Sequence, residues 1–521
     1  MERKGNDTTE GPSIFNDVLG PVMRGPSSSH SAGALRIGKL ARDLMQGTLQ
    51  HLKVEYDPNG ALVTTHKSQG TDMGLTGGLL GWEPTDVRLK DYEEHLESSG
   101  INIEVIYSNY GATHPNTYKL TMMSDHEQHS MTALSTGGGM IEVIEIDGND
   151  LRLAGDTHEC LVYLEQETLS IHPLLCDATP HLKSNKPFLS FSSTTKFSQE
   201  FITSIESIDG ISQVIVLYPV LPILKGNQAL PFRNCQEMEA YNTQQQLPLW
   251  KLAMAYECAR SGLSEDELFS MMLEIVQVMK NAIEDGIKGT EYQDRILPPQ
   301  APLFEAKKRK QQLLQSPLNN EIILAVTAFM EVKSSMGIIV AAPTAGSCGA
   351  LPGAVIGSAR FLKESDERVA QALFSAGLIG VFIARGATFS AEEAGCMAEC
   401  GSASAMAAAA LTTLAGGSLE QCLSAASVSL QNSFGLICDP IGNRVEAPCL
   451  GKNVSAASNA LSSSNMALAD YQHLIPLDEV IEAMDKVGKA MPPEHCCTAL
   501  GGLAITPTAK KIEQHLKKIH C

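Results

Sequence analysis

The spacing of hydrophobic residues changes character along the chain. Residues 1–155 mix strand-like alternation with one amphipathic helix. LKVEYD (52–57), ALVTTH (61–66), INIEVIY (101–107) and MIEVIEIDG (140–148) read as strands, and residues 32–45 read as a helix. Residues 156–222 show strands at CLVYLE, PFLSFSS and SQVIVLYPV, with a helix near SQEFITSIESI between the last two. From about residue 225 the apolar positions recur at helical spacing, in LWKLAMAYECARSG, EDELFSMMLEIVQVMKNAIEDGI and NEIILAVTAFMEVKSSM. Farther on, the helices become rich in small residues: VAQALFSAGLIGVFIA, SASAMAAAALTTLAGG and VSAASNALSSSNMALA. Small side chains let helix backbones approach closely, so a compact all-helical domain is expected there. YQDRILPPQAPLFEAKKRKQQ, between the helical stretches, reads as a polar connector with a solvated basic run. These patterns predict a multidomain α+β protein. Residues 1–155 form a mixed α/β domain, 156–222 a small α+β module and 223–521 an all-helical domain.

Composition narrows the function. The chain has 521 residues, 43% hydrophobic and 19% charged, as in ordinary globular proteins. Its 39 basic and 59 acidic residues give a net charge of −20. Such a surface repels phosphate backbones and anionic lipid, so no nucleic-acid or membrane partner is expected. The start, MERKGNDTTEGPS, is polar and lacks a secretory apolar core. No residue between Lys333 and Arg360 is charged, but Pro343, Pro352 and five glycines interrupt that run, which favours a buried core segment over a membrane span. Thirteen scattered cysteines suit a reducing, cytoplasmic setting better than a disulfide framework.

The chemistry concentrates between Ala391 and Cys449. Cys396 follows Gly395, Cys438 precedes Asp439-Pro440 and Cys449 follows Pro448, with gaps of 42 and 11 residues. Helix-breaking residues beside each thiol favour loop tips that can converge. Three fixed thiolates and one open iron would make a Lewis-acid iron–sulfur catalyst rather than an electron carrier. The gaps match no compact ferredoxin pattern and there is no C-x-x-C zinc spacing, so buried structural cysteines remain the alternative. In the N-terminal part, Ser27, Ser28, Ser29 and His30 precede the helix of residues 32–45, where hydroxyls and free N–H groups suit a carboxylate or phosphate; a plain helix cap is the alternative. Asp72 in KSQGTDMG is a candidate polar anchor, and THPNT places His114 at a turn. Gly137, Gly138 and Gly139 demand a turn or a close ligand.

Taken together, GPSSSH, GTD, THPNT and GGG-x-IE resemble the β part of the iron–sulfur-dependent L-serine dehydratases. AAPTAGSCGALPGA, GCMAECGSASAM, GLICDP, APC and TALGGLA resemble their α part. The resemblance runs over nearly the whole chain, in order, and implies a single-chain form with both parts fused. It implies a [4Fe–4S] cluster on Cys396, Cys438 and Cys449. Cys348 would line the site, and Cys400 would serve packing. It further implies that the open iron draws hydroxide from L-serine while a base takes the Cα proton, giving pyruvate and ammonia. Ser27, Ser28, Ser29, Asn116, Thr344 and Gly346 are the expected substrate contacts, in a site to which both parts contribute.

The chain departs from the family pattern at Gln69, where similar proteins carry a histidine. An amide takes no proton at neutral pH, so His30, His66 or His114 is expected as the base. Some relatives end in a cysteine that caps the open iron, and Cys521 is the corresponding candidate. Residues 156–222 lie where some relatives carry an amino-acid-sensing ACT domain. A homodimer is expected. The alternatives are a lyase for another β-hydroxy amino acid, or a cluster protein that senses amino acids without turnover. A pyridoxal-phosphate enzyme is disfavoured, because no strand-end lysine is paired with a glycine-rich phosphate cup.

Overall fold

A computed structural model describes residues 11–165, 172–226 and 228–519. The chain is a multidomain α+β protein with two compact units. One spans Ser29–Lys225; the other joins the first 28 residues to Gly226–Cys521. Residues 11–28, read from the sequence as part of the N-terminal α/β domain, therefore belong to the helical unit. Ser13 Oγ and Ile14 N donate to the buried Glu257 carboxylate at 2.5 and 2.8 Å, and Phe15 packs edge-on against Phe374.

The α/β unit is built on a six-stranded sheet. Its order is Asn102–Tyr107, His51–Tyr56, Thr117–Met123, Gln128–Gly137, Met140–Ile146 and Asn149–Leu153. The first two strands run parallel and the remaining pairs antiparallel. Strict alternation buries Leu52, Val54 and Tyr56 beneath Ile37, Leu40, Ala41 and Leu44 of the helix Gly33–Leu44. The three glycines make the hairpin turn, with φ of +105°, +61° and +91°, and Arg36 holds the Gly139 carbonyl at 2.5 Å. ALVTTH is a helix, Leu62–Thr65, not a strand: its buried positions, Leu62 and Thr65, are three residues apart, which is helical spacing.

A second sheet, in the antiparallel order Ile211–Leu217, His158–Leu164, Phe188–Ser193, Thr179–His181, occupies the region 156–222. One of its faces carries the helix Gln199–Glu206 over Cys160, Val162 and Val214. Leu161, Phe188 and Ile215 join the core under the helix Gly33–Leu44, so this region shares its packing with the larger sheet.

The helical unit surrounds Ser402–Leu414, every residue of which is buried. Ala350–Leu362, Asp366–Gly386, Leu419–Gln431 and Cys449–Leu468 pack against it. Small residues permit this: a Cβ on Gly353 would lie 2.7 Å from the Val326 backbone nitrogen. Hydroxyls fill the polar gaps, as where Ser404 Oγ meets Ser429 Oγ and the Ala456 carbonyl, both at 2.7 Å. Asp366–Gly386 is long and apolar enough to cross a membrane, but 78% of its apolar window is buried within the unit. The uncharged run after Lys333 forms the short strand Ile338–Val340, paired with Val22–Arg24, and the helix Ala350–Leu362. The basic connector contains a helix of its own, Ala301–Arg309, on which Lys308 and Arg309 both pair with Glu305.

Asn453 ties the AAPTAGSCG loop to the cysteine-bearing helix. Its Oδ1 accepts from Gly349 N and Ala350 N, and its Nδ2 donates to the carbonyls of Gly346 and Cys449, all between 2.9 and 3.1 Å. Asn453→Ala should destabilise the unit by at least about 2 kcal/mol in chemical denaturation, since it strands buried backbone groups. Gly78→Ala should cost about 1–3 kcal/mol, because its Cβ would lie 2.1 Å from the Leu35 carbonyl oxygen in the partner helix. A melting curve within error of the parent would contradict that packing.

Candidate functional site

In the helical unit, two of the expected thiols, Cys396 and Cys438, come together with Cys400 and Cys497, and Cys449 stands where the Cys396 charge acts on it. Gly395, at φ +65° and ψ −172°, breaks the helix Ala391–Cys396 and turns Cys396 inward. Only glycine fits there, since a Cβ would lie 2.7 Å from Met491 Sδ and 3.0 Å from the Leu436 carbonyl. Cys438 is held by its own N–H donating to the His495 carbonyl at 2.8 Å and by a parallel bridge to Cys496. Cys449 is the first residue of the helix Cys449–Leu468. Cys396 Sγ, Cys438 Sγ and a Glu399 carboxylate oxygen lie within 4.8 Å of one another.

Electrostatics make these thiols unequal. Hydrogen bonds from the Cys400 and Cys438 thiols, aided by the Lys452 cation, hold Cys396 well below the ordinary thiol range. Cys438, which donates to Cys396 and also meets Cys497, is raised in turn, as is Cys400. Burial, followed by the Cys396 charge, raises Cys449. Lys452 Nζ stands 3.8 Å from Cys396 Sγ and donates to the Ile437 carbonyl at 2.6 Å and Asp439 Oδ1 at 2.5 Å. A second cation, the fully buried Lys333, donates to the Val445 carbonyl and acts electrostatically on Cys449 and Glu399.

Thr344 and Gly346, expected at the substrate, frame Glu399. Thr344 Oγ1 donates to Glu399 Oε1 at 2.6 Å, and a Cβ on Gly346 would lie 2.7 Å from both carboxylate oxygens. Glu399 keeps some accessible surface yet lies deep in the unit. Desolvation, then the Cys396 charge, pushes its carboxyl up to about 8. Ser28 Oγ accepts from Ala345 N at 3.1 Å, so this serine braces the same loop. Cys348 faces Met330 Sδ at 3.9 Å, and burial pushes its thiol up to about 12.

Several of these residues escaped the sequence reading. Cys400, expected to serve packing, does pack with Ala350, Ala403 and Ala456, and its thiol also bonds to Cys396, four residues earlier and one helical turn away. Cys497, at φ +53° in the loop after Pro493–His495, reaches Cys438 across 59 residues (497 minus 438), a separation no pattern signals. Glu399 and Lys452 were likewise missed, although CMAEC and CLGK place each near a named cysteine. Cys521 lies outside the described residues.

The α/β unit holds a second polar centre. Ser27 and Ser28 belong to the helical unit; Ser29 opens the α/β unit and does not cap the helix Gly33–Leu44, whose N-terminus has no side-chain cap. His30 Nδ1 meets Ser29 Oγ at 3.1 Å and its Nε2 meets Thr65 Oγ1 at 2.8 Å. Next to Thr65, His66 bonds through Nδ1 to both Asp72 oxygens, at 2.8 and 2.9 Å, and through Nε2 to the Tyr107 hydroxyl at 2.8 Å. His114 is half-buried, and its Nδ1 accepts from Asn116 N at 3.1 Å. The Asn116 amide is buried with neither of its side-chain atoms hydrogen-bonded, and Gln69 Nε2 is likewise buried and unpaired. Such groups carry the desolvation cost that a polar ligand removes.

Two family models match the chain: the serine dehydratase alpha chain over residues 244–504, which takes in the cysteines, and the serine dehydratase beta chain over residues 17–108, which takes in His30, His66 and Asp72 but not His114 or Asn116. A Bacillus subtilis protein described as a probable L-serine dehydratase alpha chain is 37% identical over 285 residues, spanning 55% of this chain and 95% of the relative. The L-serine dehydratase of Streptomyces coelicolor is 28% identical, covering 95% of this chain and 98% of its own. L-serine dehydratase 1 of Escherichia coli is also 28% identical, at 92% and 96% coverage. With both the helical and the β-chain regions matched in one polypeptide, the chain belongs to the serine dehydratase family.

Proposed function

We propose that this chain is an L-serine dehydratase, converting L-serine to pyruvate and ammonia, with a [4Fe–4S] cluster held by Cys396, Cys438 and Cys449. The observation that carries this reading is the convergence of Cys396 Sγ and Cys438 Sγ within 4.8 Å of each other and of a Glu399 oxygen, with further buried thiols beside them. Thiolates are the donors iron–sulfur clusters require, and Lys452 and Lys333 offset their negative charge. Bound there, the cluster supplies a Lewis acid that makes the substrate hydroxyl a tolerable leaving group.

The protein's own groups do the rest. Lys452 fixes Cys396 and the chain around Asp439, and Asn453 sets the AAPTAGSCG loop against the helix that begins at Cys449. Thr344 and Gly346 hold Glu399 in place as a buried carboxyl that exchanges a proton near neutral pH. Ser27, Ser28, Ser29 and Asn116 are the proposed substrate contacts, Asn116 because its amide has unmet hydrogen bonds. His30, His66 and His114 are the proposed bases for the Cα proton. Of these, His66 has a carboxylate on one ring nitrogen, the arrangement that makes the other a better acceptor.

The buried amide of Gln69, where similar proteins carry histidine, favours a second reading in which the reaction is kept but the substrate is another β-hydroxy amino acid. Anaerobically reconstituted protein should release pyruvate from L-serine at least about tenfold faster, by kcat/KM, than 2-oxobutyrate from L-threonine. The reverse ratio would select the second reading. Cys396→Ala, Cys438→Ala and Cys449→Ala should each abolish pyruvate release and lower iron and sulfide per chain. Full iron and sulfide content in all three variants would sink the assignment of ligands.

A further inference from the structure

His66 is oriented more closely than its neighbours. A carboxylate only accepts, so two Asp72 oxygens at 2.8 and 2.9 Å place the ring proton on Nδ1 and leave the lone pair on Nε2. Among the described residues, the donor on that lone pair is the Tyr107 hydroxyl at 2.8 Å. The backbone holds this arrangement. Gly70 turns the chain at φ +91°, and the His66 carbonyl accepts from Thr71 N at 2.8 Å and Asp72 N at 3.3 Å, folding Asp72 back beneath the imidazole. The buried Tyr56 ring packs beside the imidazole at 5.5 Å.

Exposure along this line is graded. His66 is 4% exposed, while Tyr107, the last residue of the edge strand Asn102–Tyr107, is 52% exposed. A substrate cannot meet Nε2 directly while the phenol covers it, but it can meet the phenol.

We propose that Tyr107 is the catalytic end of a relay in which His66 and Asp72 are positioning residues. This rests on the dehydratase reading above and selects His66 among its three bases, reached by the Cα proton through Tyr107 rather than directly. As the Cα–H bond breaks, its proton goes to the Tyr107 oxygen. The Tyr107 O–H proton passes to His66 Nε2, so no free phenolate forms. The Cα–H electron pair becomes the Cα–Cβ double bond as the Cβ–O bond breaks and hydroxide leaves. The resulting imidazolium faces Asp72, which balances its charge. Return of the proton from His66 through Tyr107 to hydroxide, as water, resets the relay.

The test uses full-length, cluster-reconstituted protein carrying Tyr107→Phe, His66→Gln, Asp72→Asn or the Tyr107→Phe/His66→Gln pair. Pyruvate release, thermal stabilisation by L-serine and the nitrogen-15 imidazole spectrum are measured on each. Tyr107→Phe and His66→Gln should each lower kcat by about 100-fold or more, the usual scale of a positioned acid–base group. The pair should fall little further than either alone, because one relay is broken in all three. Stabilisation by L-serine should persist in Tyr107→Phe, which separates a chemical defect from a folding or binding one. In the parent spectrum the His66 proton should sit on Nδ1, and Tyr107→Phe should shift Nε2. A Tyr107→Phe protein with kcat within about threefold of the parent, or a parent with the proton on Nε2, overturns the relay. A parent that releases no pyruvate from L-serine overturns the dehydratase reading and the relay with it; an active parent with an unaffected Tyr107→Phe removes the relay alone.

Discussion

The helical unit depends on holding several buried thiols beside one lysine cation. Burial alone pushes thiols toward the neutral form, as it does at Cys348 and Cys422. At Cys396, hydrogen bonds from two neighbouring thiols and the cation of Lys452 reverse that preference. The stabilisation is distributed across the unit. Lys452 is itself held by the Ile437 carbonyl and by Asp439, whose other oxygen accepts from Leu503 N at 2.9 Å. Cys438 is tied through His495 and Cys496 to the loop that brings Cys497. Hydrogen bonds thus join the segments around residues 396, 438 and 497 to Lys452, on the helix that begins at Cys449.

The α/β unit solves a different problem with similar means. His30 and His66 are buried, and their hydrogen bonds rather than solvent decide which nitrogen carries a proton. The Asp72 carboxylate orients His66, while His30 lies between two hydroxyls. Asn116 and Gln69 are left with unmet hydrogen-bonding capacity in the same unit. A buried polar network that is fully satisfied in one part and deliberately unsatisfied in another is suited to holding a polar ligand.

The legible features share a local cause. Alternation at Leu52, Val54 and Tyr56 is a strand because one sheet face is buried, and the run of small residues in Ser402–Leu414 is a core helix because close packing admits nothing larger. Cys396, Cys438 and Cys449 could be picked out because a glycine or proline stands within two residues of each. ALVTTH failed because four residues fit either period, and the Leu62–Thr65 turn is fixed by distant partners such as the Pro115 carbonyl, which accepts from Ala61 N. The cap alternative for the serines before residue 32 fails for a similar reason: the Ser28 and Ser29 hydroxyls have other partners, Ser28 at Ala345 N and Ser29 at His30.

By itself the sequence determined the α+β division, the helical character beyond residue 225, the three thiols at chain breaks and the family. Tertiary structure alone decided which side chains share an environment: that Cys400 and Cys497 join the expected thiols, that Glu399 is raised by its neighbours, and that His66 stands between Asp72 and Tyr107. Period and punctuation are written in adjacent residues, where a pattern can show them. Ionisation and hydrogen-bond direction depend on distances across tens of residues, and those exist only once the chain has closed on itself.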